Sequence, residues 1–133
     1  MPYTVIDHTA DISIRITGAD IKDLFREAAM ALVKEIGADT FSVEKAAIIE
    51  VTGYDNEDLL VVFLNELLYE IQTRNFRVSE LDITSLFENN IRAILTGTLG
   101  NKPLKMNIKA VTYHNLAIIK LAKGYETTII FDV

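Results

Sequence analysis

Cysteine is missing from all 133 residues, which excludes disulfides, thiolate zinc sites and cysteine nucleophiles together. Tryptophan is missing too, histidine occurs only twice, and Gln72 is the sole glutamine. Few residues are left from which a catalytic constellation could be built. No G-x-x-x-x-G-K-S/T or G-x-G-x-x-G loop and no G-x-S-x-G elbow occurs, so nucleotide cradling and serine hydrolysis have no motif behind them. No apolar run approaches the roughly 20 residues of a membrane span. The N-terminus lacks a basic region and meets Asp7 and Asp11 before any useful apolar stretch, so no signal peptide is expected. Basic residues are outnumbered 13 to 19, giving a net charge of −6. That balance argues against a broad grip on nucleic acid, which needs clustered Lys and Arg. A cytoplasmic protein is expected, one that would work near RNA only through a basic partner.

What the chain does have is hydrophobic residues, half of its length, enough for one compact domain over residues 1–133. Ile12, Ile14 and Ile16 alternate with Ser13, Arg15 and Thr17, the period of a strand with one wet face. After Gly18, Asp20 with Asp23 offers a helix start, and Leu24, Phe25, Ala28, Ala29, Leu32, Val33 and Ile36 form its stripe. Gly37 suits the end of that helix. A second strand is expected over Phe41–Thr52. A second helix then starts at the acidic run Asp55–Asp58, where its dipole favours negative charge. Val61 and Val62 widen its stripe from Leu59 to Ile71 until the first turns are apolar nearly all round, marking a central helix that Asn75 would cap. From Phe76 onward the period is two: Phe76–Leu86, Ile91–Leu99, Met106–Tyr113, Leu116–Ala122 and Thr127–Phe131 read as strands joined by short turns. The fold class expected is α+β, two main helices packed on an antiparallel sheet. No internal repeat, linker or low-complexity segment is visible.

Three polar clusters stand out. Asp7-His8-Thr9-Ala10-Asp11 precedes the first strand, and there Asp11 offers a hard oxygen and His8 an imidazole. A loop capping the sheet through Asx-type bonds is the plainer account. Lys109 to His114 lies on a strand with Thr112 and His114 on one face and Lys109, Val111 and Tyr113 on the other; a mixed amphipathic strand explains that as well. The third is the apolar run into Asp132-Val133. If this end lies beside Asp11, three carboxylates converge and repel one another unless a cation joins them. Oxygen-only ligands would favour Ca²⁺ or Mg²⁺ over zinc or copper. An ordinary strand with a solvated terminus fits equally, and composition does not choose.

His8-Thr9-Ala10-Asp11-Ile12, the Gly18…Leu24-Phe25…Ala28-Ala29 helix start, Lys109–His114, and the Phe131-Asp132-Val133 finish together resemble the archease family. The resemblance spans Tyr3 to Val133. It implies an accessory protein without ligation chemistry of its own, which helps an RtcB-type tRNA-splicing RNA ligase to load GMP and turn over repeatedly. By motif position it also implies a calcium site on Asp11, Asp132 and the carboxylate of Val133. His8, Lys109, Thr112, Tyr113 and His114 are the candidates for a surrounding functional shell. Asn107 departs from the acidic residue that the family pattern leads one to expect two positions before Lys109. The rival readings are a stand-alone metal-dependent hydrolase, using His8 and Asp11, and a chaperone-like binding module.

Overall fold

A computed structural model describes residues 11–100 and 102–133. The elements run β1 (Asp11–Gly18), α1 (Ile21–Ile36), β2 (Lys45–Thr52), α2 (Asn56–Gln72), β3 (Phe76–Phe87), β4 (Asn90–Leu99), β5 (Ala110–Thr112), β6 (Ile118–Lys120) and β7 (Tyr125–Asp132). The class is α+β as expected, but the strands divide between two antiparallel sheets. One has β7 at its centre, with β1 on one side and β5 and β6 on the other; the second has the order β2-β4-β3. Both helices contact strands of both sheets, α1 reaching β1, β7 and β3, and α2 reaching β2, β3, β4 and β5. The helices thus fill the shared core. Phe25 and Phe63, one from each helix, meet there with ring centroids 6.2 Å apart.

Local chemistry explains the helix ends. The Asp20 carboxylate accepts from the Asp23 N–H at 2.7 Å, and Asp23 accepts in return from the Ala19 N–H at 2.9 Å. Asp55 and Asp58 repeat this, with Asp58 N–H donating to Asp55 at 2.8 Å and Tyr54 N–H donating to Asp58 at 2.9 Å. These reciprocal bonds satisfy amides that the first helical turn leaves without partners. Gly37 takes the left-handed conformation at the end of α1 (φ 77°) and donates to the Lys34 carbonyl.

Against the expectation of no internal repeat, the two helix starts share one. Thr17-Gly18-Ala19-Asp20…Asp23-Leu24 and Thr52-Gly53-Tyr54-Asp55…Asp58-Leu59 match at every one of these positions but Ala19 and Tyr54. In each, a Cβ on the glycine would collide with the backbone of the leucine six residues on, so the strand-to-helix corner demands glycine. Each strand–helix unit is completed by an antiparallel central strand, β7 for β1 and β4 for β2.

Three strands are shorter than their alternation implies. β2 begins at Lys45, leaving Phe41 and Val43 exposed; Met106–Tyr113 contracts to Ala110–Thr112, and Leu116–Ala122 to Ile118–Lys120. Alternation reports a half-buried surface, whereas a strand also requires a partner strand along its length. Asn75 has φ 58°, and its carbonyl accepts from Gly100 N–H at 3.2 Å, while Thr73 takes the cap position of α2.

Candidate metal centre

Strand register decides which of the polar residues meet. β1 and β7 pair antiparallel with Asp11 directly opposite Asp132, and β5 adds Ala110 on the other side of Asp132. Side chains directly opposed in such a ladder project to the same face, with Cβ atoms about 5 Å apart. Here that face is the solvent side, since Ile16, Ile129, Phe131 and Val111 occupy the buried side. Asp11 and Asp132 are both exposed. One row further along the same face lie Ser13, Ile130 and Thr112. Val133 follows Asp132 directly and packs half-buried against the core, which steadies the backbone at that end.

Two like charges directly opposed across a ladder destabilise it unless a cation lies between them. None of the described Lys, Arg or His side chains forms an ion pair with either carboxylate. Nor do three His, Asp or Glu side chains converge anywhere among the described residues. The Asp11–Asp132 pair therefore needs a further oxygen, such as a terminal carboxylate, to make a three-ligand site. The donor set fits a hard cation: exposed carboxylate oxygens, with no sulfur and no described imidazole beside them.

The proposed shell divides. The Lys109 N–H donates to the Asp132 carbonyl at 2.7 Å, so Lys109 borders the pair through its backbone while its side chain is exposed. Thr112 shares the outer face, and its hydroxyl accepts from the His114 N–H at 3.2 Å, turning the chain out of β5. His114 is exposed in that turn. His8 lies outside the described residues. Tyr113 reaches away, its hydroxyl donating to the Asp58 carboxylate at 2.6 Å at the start of α2.

That last contact sets a pH dependence. Chiefly the Tyr113 hydroxyl, and then the Tyr54 N–H, hold the Asp58 carboxyl below the ordinary carboxylate range, while Asp58 raises the Tyr113 phenol. The bond's contribution is present above the unfolded carboxyl pKa of about 4 and is lost as pH falls through the lower folded value. At the alkaline end the contribution is complete below about pH 10 and disappears as pH rises through the raised phenol pKa. Chemical denaturation of wild type and Tyr113→Phe across pH should show wild type more stable near neutrality, with the difference closing below about pH 4. A constant difference down to pH 2 would contradict this.

A sequence model of the archease protein family (MTH1598/TM1083) matches residues 3–133. The chain belongs to the archease family. It is 36% identical to the Methanosarcina barkeri protein archease over 98% of this chain and 95% of that one. The Archaeoglobus fulgidus protein archease is 30% identical over the full length of both, and an archease-like protein of Drosophila melanogaster is 34% identical over 100% of this chain and 91% of its own. The fold matches the crystal structure of a Thermotoga maritima archease, described as a possible chaperone, with a TM-score of 0.76 at 23% identity, covering 100% and 98% of the two chains. The solution structure of Methanobacterium thermoautotrophicum protein 1598 gives the same score and identity over 96% of each. Archease membership thus accompanies a fold that brings the two aspartates, 121 positions apart in sequence, to directly opposite places in one ladder.

Proposed function

We propose that this archease is a non-catalytic, calcium-binding accessory protein of an RtcB-type tRNA-splicing RNA ligase. The observation that carries this is the direct cross-strand pairing of Asp11 with Asp132 on the exposed face of the sheet. Asp11, Asp132 and the carboxylate of Val133 would hold the ion, Ca²⁺ by preference and Mg²⁺ as the smaller alternative. Lys109 and Thr112 border the pair, and His8 belongs to the segment leading into it. The bound ion supplies positive charge close to phosphate oxygens, the electrostatic help that guanylyl transfer requires. The protein's own residues do not perform the transfer; they hold the ion on an open surface, where a larger partner can reach it.

The acidic net charge supports docking on a basic ligase rather than direct binding of RNA. Among the described residues no helix is long and apolar enough to cross a membrane. A cytoplasmic location follows from the proposed role in tRNA splicing.

RNA joining by the cognate ligase, with substrate in large excess over enzyme, tests this reading. Wild type should raise the number of joins per ligase well above one, and Asp11→Ala should leave the ligase near a single turnover. Equal stimulation by both proteins would remove the metal pair from the mechanism. Phosphatase or nuclease activity in ligase-free protein would instead favour the hydrolase reading.

A further inference from the structure

β5 is only three residues long, yet it closes the candidate site. Ala110 pairs with Asp132, and the Lys109 N–H bonds the Asp132 carbonyl. So short a strand has little hold of its own, and among the described residues it has no strand partner on its far side. That side is met by α2.

The Asn65 amide donates to the Val111 carbonyl at 3.1 Å, and its oxygen accepts from the Val111 N–H at 2.8 Å. Gln72 does the same for Ile108, donating to its carbonyl at 2.9 Å and accepting from its N–H at 3.0 Å. A carboxamide carries one acceptor and a donor side by side, so each side chain replaces the peptide group that a neighbouring strand would offer. The spacing makes this work. Asp58, Asn65 and Gln72 recur every seven residues, which keeps them on one face of the helix. Seven helical residues rise roughly 10.5 Å, close to the roughly 10 Å that three extended residue steps cover between Ile108 and Val111. Asp58 extends the row to Tyr113, and the Ile118 N–H donates to Glu57 at 3.1 Å. One face of α2 thus serves as the outer partner of the β5–β6 edge.

We propose that Asn65 and Gln72 are positioning residues for the metal pair. Their two clamps bracket Lys109 and Ala110, the residues that hold Asp132 from the β5 side. They transmit the rigidity of a buried helix to an exposed carboxylate. Gln72, the only glutamine in the chain, is thereby accounted for. This inference rests on the calcium reading of Asp11 and Asp132.

The test compares wild type, Asn65→Leu, Asn65→Asp and Gln72→Glu. The two acidic variants retain the acceptor for the strand N–H and set a carboxylate oxygen against the strand carbonyl in place of the donor, so they break half of each clamp and remain usable should the leucine variant fold poorly. Ile83→Ala, in the core of the other sheet, controls for general loss of stability. Amide hydrogen exchange at residues 108–112 and Ca²⁺ titration calorimetry are read on the same samples. Exchange at Ile108, Lys109 and Val111 should accelerate in the clamp variants, and Ca²⁺ affinity should fall by about 10- to 100-fold, as for other groups that orient metal ligands. The Ile83→Ala control should keep wild-type affinity at a comparable loss of melting temperature. Accelerated exchange with unchanged affinity would overturn the positioning role, as would equal affinity losses in the control. A wild-type protein that gives no heat with Ca²⁺ but shows the exchange pattern would instead contradict the metal reading, leaving the clamp as a feature of the fold alone.

Discussion

Replacing Asp132 by Asn should weaken Ca²⁺ binding by on the order of a hundredfold while leaving the fold intact. The substitution preserves shape and removes one of two charges that face each other directly. Without the ion, that charge pair works against the ladder. Asp132→Asn should therefore be slightly more stable than wild type in chelator and less stable than wild type in saturating Ca²⁺. This crossing of stabilities is the signature of a ligand, because binding to the folded state alone adds stability by mass action. A residue that merely caps a sheet end would lose stability in both conditions. Thermal melts in chelator and in millimolar Ca²⁺ distinguish the two.

Arg77→Met should lower stability by about 2–4 kcal/mol, a fall in melting temperature of roughly 10 °C. Arg77 is only 4% exposed, and no carboxylate lies within ion-pair distance of it among the described residues. Its guanidinium instead donates to backbone carbonyls: Ile71 and Phe76 at 3.1 Å, and Lys102 twice, at 2.7 and 3.1 Å. The partners lie on α2, β3 and the segment leading to β5. Burial lowers the Arg77 pKa, but the ordinary value is so high that the group stays charged at neutral pH. Methionine spares the burial of a charge but leaves those carbonyls short of donors, at about 1–3 kcal/mol for each one truly orphaned. Lysine keeps the charge without the fork that reaches three carbonyls, so Arg77→Lys should fall between the two. Urea unfolding decides the matter; a methionine variant as stable as wild type would mean that burying the charge costs as much as its bonds return.

What could be read from the sequence was whatever nearest neighbours decide. Asp20 with Asp23, the stripe of α1 and the left-handed Gly37 all act within a turn or two of the chain, and each is found where expected. Pairing between distant strands is another matter. Alternating residues show which face is wet but not which strand lies alongside, so the division into two sheets was not visible. The ends of β2, β5 and β6 were overextended for the same reason. The Asp11–Asp132 pairing is the extreme case, because nothing local to either residue names the other. Only the family resemblance joined them in advance. Tyr113 adjoins the site in sequence, but its hydroxyl bonds Asp58 in the first turn of α2. Asn65 and Gln72 carry a signal of their own: polar residues recurring every seven positions after Asp58 along a largely apolar helix. The 35-residue repeat of the Thr-Gly corner was equally open to inspection.

A crystal structure of the protein soaked in Ca²⁺ would show whether Asp11 and Asp132 share an ion. One ion should appear on the outer face of the β1–β7 ladder, with oxygens of both Asp11 and Asp132 at about 2.3–2.6 Å. Density at Asp11 alone, with Asp132 turned away, or an empty ladder at millimolar Ca²⁺, would contradict the account.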